Sequence, residues 1–523
     1  MSTTFSTISA RTVRQWLNDT DEIALLDVRE AGQFGEGHLF FAVNTPYSQL
    51  ELWVTQLVPR KATRTVLLDV GDGVAERAAR RLYALGYSHV YVLEGGVPGW
   101  QAAGYTVFQG VNLPSKTFGE LVEQAFGTPH ISAHELATWQ RQNKPFVLLD
   151  GRTSAEHCKM SIPGSVGVPN GELPRHLHAL ACDSAIPVVI HCAGRTRSII
   201  GAEILRKLGL PNPVFALENG TQGWALAGLP LAHGDRQQRL CSMQPHASER
   251  EAAVCLAQSV GVPQLTPAQA QQWVDDTART TYVIDVRSVE EFAARTLPGA
   301  THAPGGQLLQ ATDQTIGTRK ARVILLDDDG VRAPVIAAWL HRLGWQTATV
   351  EGGIDAPLRL LAPTNIVHEL PRIDIQALPA WSLARSPQLI DLQSSADWQQ
   401  QHAVGAVWSI RPHLGQIRLS TSRPVLLLVP DAATAQLAAI DLREAGHCDL
   451  AWAQAQDWRD AGLPVECNTK LPDDERIDYL FFVHDRHDGN LDAARQYLAW
   501  ETGLVAQAAP DELAVFRLPP KTA

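Results

Sequence analysis

The chain has 523 residues, 45% of them hydrophobic and 19% charged, which suits several buried cores and argues against global disorder. At roughly 100–200 residues per domain, about three to five domains are expected. A net charge of -11 at pH 7 argues against a nucleic-acid binder, which normally presents a basic face. No window approaches about 18 uncharged apolar residues, so no membrane partner is expected. Seven scattered cysteines without a CxxC pair suggest neither a disulfide framework nor a zinc cluster. The N-terminal MSTTFSTISARTVRQWL lacks the pattern of a secretory signal, and the expected location is cytoplasmic.

One pattern recurs along the chain. An apolar strand ends in an acidic turn at LLDVRE (25–30), LLDGRT (148–153), VIDVRS (283–288) and LIDLQS (389–394). Small-residue turns follow, clearest as PGSVGVP (163–169) and PGATHAP (298–304). A second apolar strand comes next, at TVLLD (65–69), PVVIHC (187–192), RVILLD (322–327) and PVLLLV (424–429). Each leads into a helical pattern ending in Leu-Gly or Ala-Gly, at 85–86, 208–209, 343–344 and 445–446. VLEGGVPGW (92–100), ALENGTQGW (216–224) and VEGGIDAPL (350–358) close three copies, whereas the fourth closes on AWAQAQDW without a glycine pair. Short β-branched runs alternating with helices predict an α/β fold with largely parallel sheets flanked by helices. The units are expected at 1–110, 111–235, 236–365 and 366–468, with helical linkers near 111–130 and 240–262 and a C-terminal tail over 469–523.

In such folds chemistry sits where a strand ends and a helix begins, because N–H groups converge there and the helix dipole favours an anion. Counting back from the helix-ending glycines puts Asp69, Cys192, Asp327 and Val429 at that position. Only the second copy offers a nucleophile, in the loop HCAGRTRSIIG (191–201). A helix N-terminus with Arg195 and Arg197 nearby favours the thiolate form. Arginine forks are suited to an oxyanion substrate.

The Asp-x-Arg strand end, the Pro-Gly turn, the CxxxxR loop and the Gly-Gly-x-x-x-Trp closure together resemble the rhodanese (sulfurtransferase) family. The resemblance covers about 1–468, strong in three copies and weak in the fourth, and is similar to bacterial proteins with tandem rhodanese domains. It implies a four-domain protein in which Cys192 carries a sulfane sulfur as a persulfide. Ala193, Gly194, Arg195, Thr196, Arg197 and Ser198 would be its cradle, with Arg197 as the loop-closing arginine. It also implies a small-molecule sulfur donor, a thiol or cyanide acceptor, and a protein as an alternative donor or acceptor. No GxGxxG or Walker loop follows a strand, so no cofactor and no metal are expected. Family loops commonly carry Gly three residues after the cysteine, where this chain has Arg195. Asp69, Asp327 and Val429 would make the other copies inactive, the aspartates filling their loops with a permanent anion.

Other readings stay open. HCAGRTRS is similar to the HCx5R[ST] loop of cysteine phosphatases and arsenate reductases, but only four residues separate Cys192 from Arg197. Three copies without a nucleophile also suit a binding scaffold or sulfur relay. Cys158 is a candidate to resolve a persulfide. His191 either tunes Cys192 or faces the core, and the Asp150/Arg152 pair, repeated where no cysteine follows, reads as structural. Trp100 and Trp224 are expected to pack on the sheets. In the tail, His484, Asp485, His487 and Asp488 look like metal ligands, but a helix cap at Asp488 or Asn490 is the plainer reading.

Overall fold

The computed structural model describes residues 5–234, 244–361, 370–481, 486 and 489–520. In the second unit the strands His130–Ile131, Val147–Asp150, Val166–Gly167, Val188–His191 and Val214–Leu217 form one parallel sheet. Its spatial order is first, fifth, fourth, second, third. The strands of the first and third units repeat this order. The central strands are buried on both faces, as their near-continuous apolar runs require. The fourth unit keeps a four-stranded parallel sheet, from Val407–Trp408 through Gln388–Asp391 and Val425–Val429 to Leu450–Gln454. Its first strand has shrunk to a single bridge between Arg372 and Trp452.

Four helices matter for the site: α1 (Leu113–Phe126), α2 (Ser154–Lys159), α3 (Thr196–Lys207) and α4 (Leu491–Gln507). The expected linker helices exist, as α1 and as Ala247–Ser259. Among the described residues no helix is long and apolar enough to cross a membrane.

The units pack in two pairs. In the second and third, Arg197 reaches Gln307 at 3.3 Å, and its counterpart Arg332 reaches Glu172, the counterpart of Gln307, at 3.2 Å. This is the reciprocity of a two-fold interface, here within one chain. One apolar core, including Phe118, Ile199, Ile336 and Trp339, runs through both units. The first and fourth units pair through the buried fork of Arg411 on Glu51, at 2.6 and 2.8 Å, and through Arg81 with Asp441. Strand Thr318–Arg319 of the third unit joins the two pairs by adding antiparallel to Ile23–Asp27 of the first, covering its edge.

The tail is threaded through this assembly. The Ile477 carbonyl accepts from Gly32 N at 2.8 Å. Asn490, one of the two cap candidates in the sequence, caps α4 by accepting from Ala493 N at 3.0 Å. His484, Asp485, His487 and Asp488, the residues with a superficial likeness to metal ligands, lie outside the described residues. Beyond α4, Glu512 holds Arg14 at 2.6 Å and Phe516 packs on Phe118. Leu504 of α4 is fully buried in the core of the first unit. Leu504→Ala should therefore cost about 2–5 kcal/mol. The first unfolding transition in urea should move to lower denaturant, whereas an unchanged transition would mean the tail merely rests on the surface.

Candidate active site

The acidic strand ends of the first three units carry an ion pair. Asp150 and Arg152 are both buried, and the guanidinium donates to the carboxylate at 2.9 and 2.7 Å and to the Met160 carbonyl at 2.6 Å. Asp27/Arg29 and Asp285/Arg287 repeat the fork, and Asp391 has Gln393 in place of arginine. His157 and Ser161 also bond Asp150, each at 2.9 Å. Burial works against its charge, but His191, His157 and Arg152 hold its carboxyl well below the usual range. The pair tethers strand to turn, with or without a cysteine nearby.

Cys192 follows strand Val188–His191 and is 2% exposed. The Ser198 hydroxyl donates to its Sγ at 3.1 Å. The closing turn supports the loop from below: Thr221 N donates to the Cys192 carbonyl at 2.8 Å and Gln222 N to the Ala193 carbonyl at 3.0 Å. A Cβ on Gly220, where φ is +52°, would collide with that Cys192 carbonyl. Val97 N on Asp69 O and Ile354 N on Asp327 O, at 2.8 and 2.9 Å, repeat the support. Trp100 and Trp224 are buried behind these turns and donate to the Thr106 and Pro230 carbonyls at 3.1 and 3.0 Å.

The aspartates occupy the loops of the other units as internal acceptors. Asp69 takes Gly71 N at 2.8 Å and Ala75 N at 3.0 Å, and Asp327 takes Ala333 N at 2.8 Å. Ala75 and Ala333 stand where the second unit has Ser198. Burial and neighbouring Asp329 raise the Asp327 carboxyl above its ordinary value. At the fourth strand end the acceptor is Asp431, which caps the following helix through Thr434 N at 2.8 Å.

Neither arginine of the Cys192 loop is free for an oxyanion. Arg197 forks onto Glu156 of α2 at 2.7 Å through both terminal nitrogens. Burial alone would raise Glu156, but the fork overrides it and holds the carboxyl at about 2. Arg195 turns away from the sulfur and forks onto Glu120 of α1 at 2.7 and 2.9 Å, with Glu123 alongside. It ties the loop to the linker helix instead of facing a substrate, because two carboxylates one turn apart on α1 are the stronger local attraction. Cys158 is half-buried on α2, two residues beyond Glu156 and so on a different face of that helix from the residue that meets the loop.

Three residues at the site had no local signal in the sequence. Glu501 of α4 accepts from the Thr196 hydroxyl at 2.6 Å, and Lys116 of α1 donates to Glu501 at 3.1 Å. Tyr497 of α4 packs beside Gly194. His191 is fully buried, and burial pushes it down to about 4 against the pull of Asp150, so it is neutral at neutral pH.

The described residues contain no group of three or more side chains able to hold a metal. The Rhodanese-like domain model matches residues 9–103, 132–227 and 266–357, more than half of the chain. A thiosulfate sulfurtransferase from Pseudomonas aeruginosa is similar over 98% of this chain and 100% of its own, with 38% identity and a TM-score of 0.90. A rhodanese-related protein from Thermoplasma volcanium is 28% identical over 20% of this chain and 97% of its own, with a TM-score of 0.18. An uncharacterized protein from Synechocystis sp. is 32% identical over 108 residues, 21% of this chain and 59% of that relative's length.

With Glu156 near 2 and His191 near 4, both hold their charge state between pH 6.5 and 9. The pH profile of Cys192 alkylation by iodoacetamide across that range should thus be the same in wild type and His191→Asn. A displaced profile would show that His191 tunes the sulfur. Gly220→Ala should slow or abolish the reactivity that depends on the loop, because the left-handed φ alone costs about 1 kcal/mol and the collision adds to it.

Proposed function

This chain belongs to the rhodanese-like domain family, and on that premise we propose that it transfers a sulfane sulfur through a persulfide on Cys192. The observation that carries the reading is the placement of one buried cysteine at the strand-to-helix loop where two other units keep an aspartate. In the first half-reaction the Cys192 thiolate attacks the outer sulfur of thiosulfate or a similar donor. A sulfur–sulfur bond forms at Sγ, the donor's own breaks, and its electron pair leaves with sulfite. In the second, cyanide, a thiol or a protein acceptor attacks the terminal sulfur and the Sγ–S bond returns its pair to Cys192. Ser198, donating to Sγ at 3.1 Å, stabilises the thiolate of the sulfur-free state, which is also the leaving group of the second half-reaction. Arg197 acts through Glu156, fixing the end of the loop against α2.

The fourth unit is proposed as a degenerate copy of the same domain, on the strength of its parallel sheet order and its acidic strand end at Asp391. The first, third and fourth units act as a frame. The similarity to the Pseudomonas aeruginosa protein supports thiosulfate as the donor to try first. A phosphatase reading is less well supported, because the arginine fork that a tetrahedral phosphate needs is already held by Glu156.

Thiocyanate formation from thiosulfate and cyanide should be readily measured in wild type and fall to background in Cys192→Ser. Turnover retained in that variant would remove Cys192 from the mechanism. Hydrolysis of an aryl phosphate without any sulfur transfer would replace the reading with the phosphatase one. Turnover only with a protein persulfide donor would favour the relay.

A further inference from the structure

The N-terminus of α3 is capped from the far end of the chain. Its N-cap residue, Arg195, makes no side-chain cap bond and points at α1 instead. The acceptor comes from 305 residues away: Glu501 takes the Thr196 hydroxyl at 2.6 Å and approaches Thr196 N at 3.4 Å.

The other units do not need this help. In the third, Asp329 inside the loop accepts from Val331 N at 3.1 Å and Arg332 N at 3.4 Å. In the first, Asp72 accepts from Val74 N at 3.3 Å, and in the fourth Asp431 caps its own helix. The cysteine loop CAGRTR alone contains no acidic residue. Aligning Cys192 with Asp327 puts Gly194 in the place of Asp329. A Cβ built on Gly194 would lie 3.1 Å from Glu501 Oε2. The tail carboxylate therefore comes in beside the position from which the loop's own carboxylate is missing.

The carboxylate is fully buried. Burial opposes its charge, yet Lys116 and Thr196 hold it below its ordinary value. Burial likewise opposes the charge of Lys116, which Glu501 and Tyr497 more than restore. A buried ion pair of this kind adds little net stability compared with apolar residues of similar volume. The second oxygen of Glu501, Oε2, and Gln222 Nε2 both lie beside Gly194, and neither has a hydrogen-bond partner among the described residues.

We propose that Glu501 is a positioning residue for Cys192: the C-terminal helix α4 completes the active loop by supplying, from the far end of the same chain, the cap that the other loops carry within themselves. The kinetic part of the test rests on the sulfurtransferase reading above, and the exchange part does not.

The experiment compares wild type, Glu501→Ala, Glu501→Gln and the double variant Gly194→Asp/Glu501→Ala, which restores a loop carboxylate where the third unit has one. Because Ala leaves Lys116 buried without its partner, Lys116→Met/Glu501→Gln is included as a variant that keeps the acceptor without a lone charge. Persulfide loading of Cys192 by thiosulfate is followed by intact mass, and backbone amide exchange by mass spectrometry over 193–198. Glu501→Ala should lower the loading rate at saturating donor by about tenfold or more, the scale of a lost hydrogen bond to a charged group. The donor concentration for half-maximal rate should hardly move, and amide exchange over the loop should quicken. Gly194→Asp/Glu501→Ala should recover much of the rate and the protection, and the two Gln-containing variants should retain most of both. Loading in Glu501→Ala as fast as wild type or faster would overturn the proposal, the faster result marking α4 as an obstructing cover. A slow Glu501→Ala that neither Gly194→Asp nor Gln rescues would reduce Glu501 to a folding role and overturn it too. If wild type takes up no sulfur from any donor, the functional reading fails, and the exchange rates alone decide whether Glu501 orders the loop.

Discussion

A strand that stops and a helix that starts a few residues later leave a cluster of backbone N–H groups that need an acceptor, and the whole chain is organised around four answers to that demand. The first and third units place the strand-end aspartates Asp69 and Asp327 there, bonded to Ala75 N and Ala333 N at 3.0 and 2.8 Å. The fourth uses Asp431 as a conventional cap. Only the second leaves the strand-end position to a polarizable, nucleophilic sulfur, with a serine hydroxyl donating to it. An aspartate answers the demand permanently and has nothing to exchange. At Cys192 the sulfur receives the Ser198 hydroxyl, and the helix start takes its acceptor from Glu501 instead, which leaves the sulfur available for the bond making and breaking of the proposed reaction.

The surrounding frame keeps that loop in one shape. Closing-turn amides hold the carbonyls of Cys192, Asp69 and Asp327 from one side, and the Asp/Arg forks brace the neighbouring strand ends from the other. The pairing of units reaches the site directly, since Arg197 touches Gln307 of the third unit while its counterpart Arg332 touches Glu172 of the second. The third unit, whose loop has Asp327 in place of the cysteine, is therefore contiguous with the site and shares its core. Thr318–Arg319 then fastens this pair to the first unit, and α4 lies where it meets both the first unit's core and the Cys192 loop.

Much of this was written in local sequence. The repeat, the strand ends, the Asp/Arg pairs and the single cysteine each sit within a few residues of the features that define them, so periodicity and alignment of the copies reveal them. The partners of the arginines were less legible. Arg195 and Arg197 look like substrate clamps in isolation, and their partners Glu120 and Glu156 lie on separate helices whose approach is set by packing. Glu501 is the extreme case, because nothing near residue 501 marks it as a cap for residue 196. A faint signal did exist: the loops of the other units contain Asp72, Asp329 and Asp431, whereas CAGRTR has none. The missing acid announced that an acceptor had to arrive from elsewhere, but not from where.

One loop in the chain is proposed to carry sulfur, and its carrier is Cys192. Peptide-mapped sulfane-sulfur stoichiometry after saturation with donor and removal of the excess tests it most directly, because the chain has seven cysteines to choose from. One additional sulfur per chain is expected, confined to the peptide containing Cys192. A persulfide distributed over several cysteines, or concentrated on one other than Cys192, would contradict it.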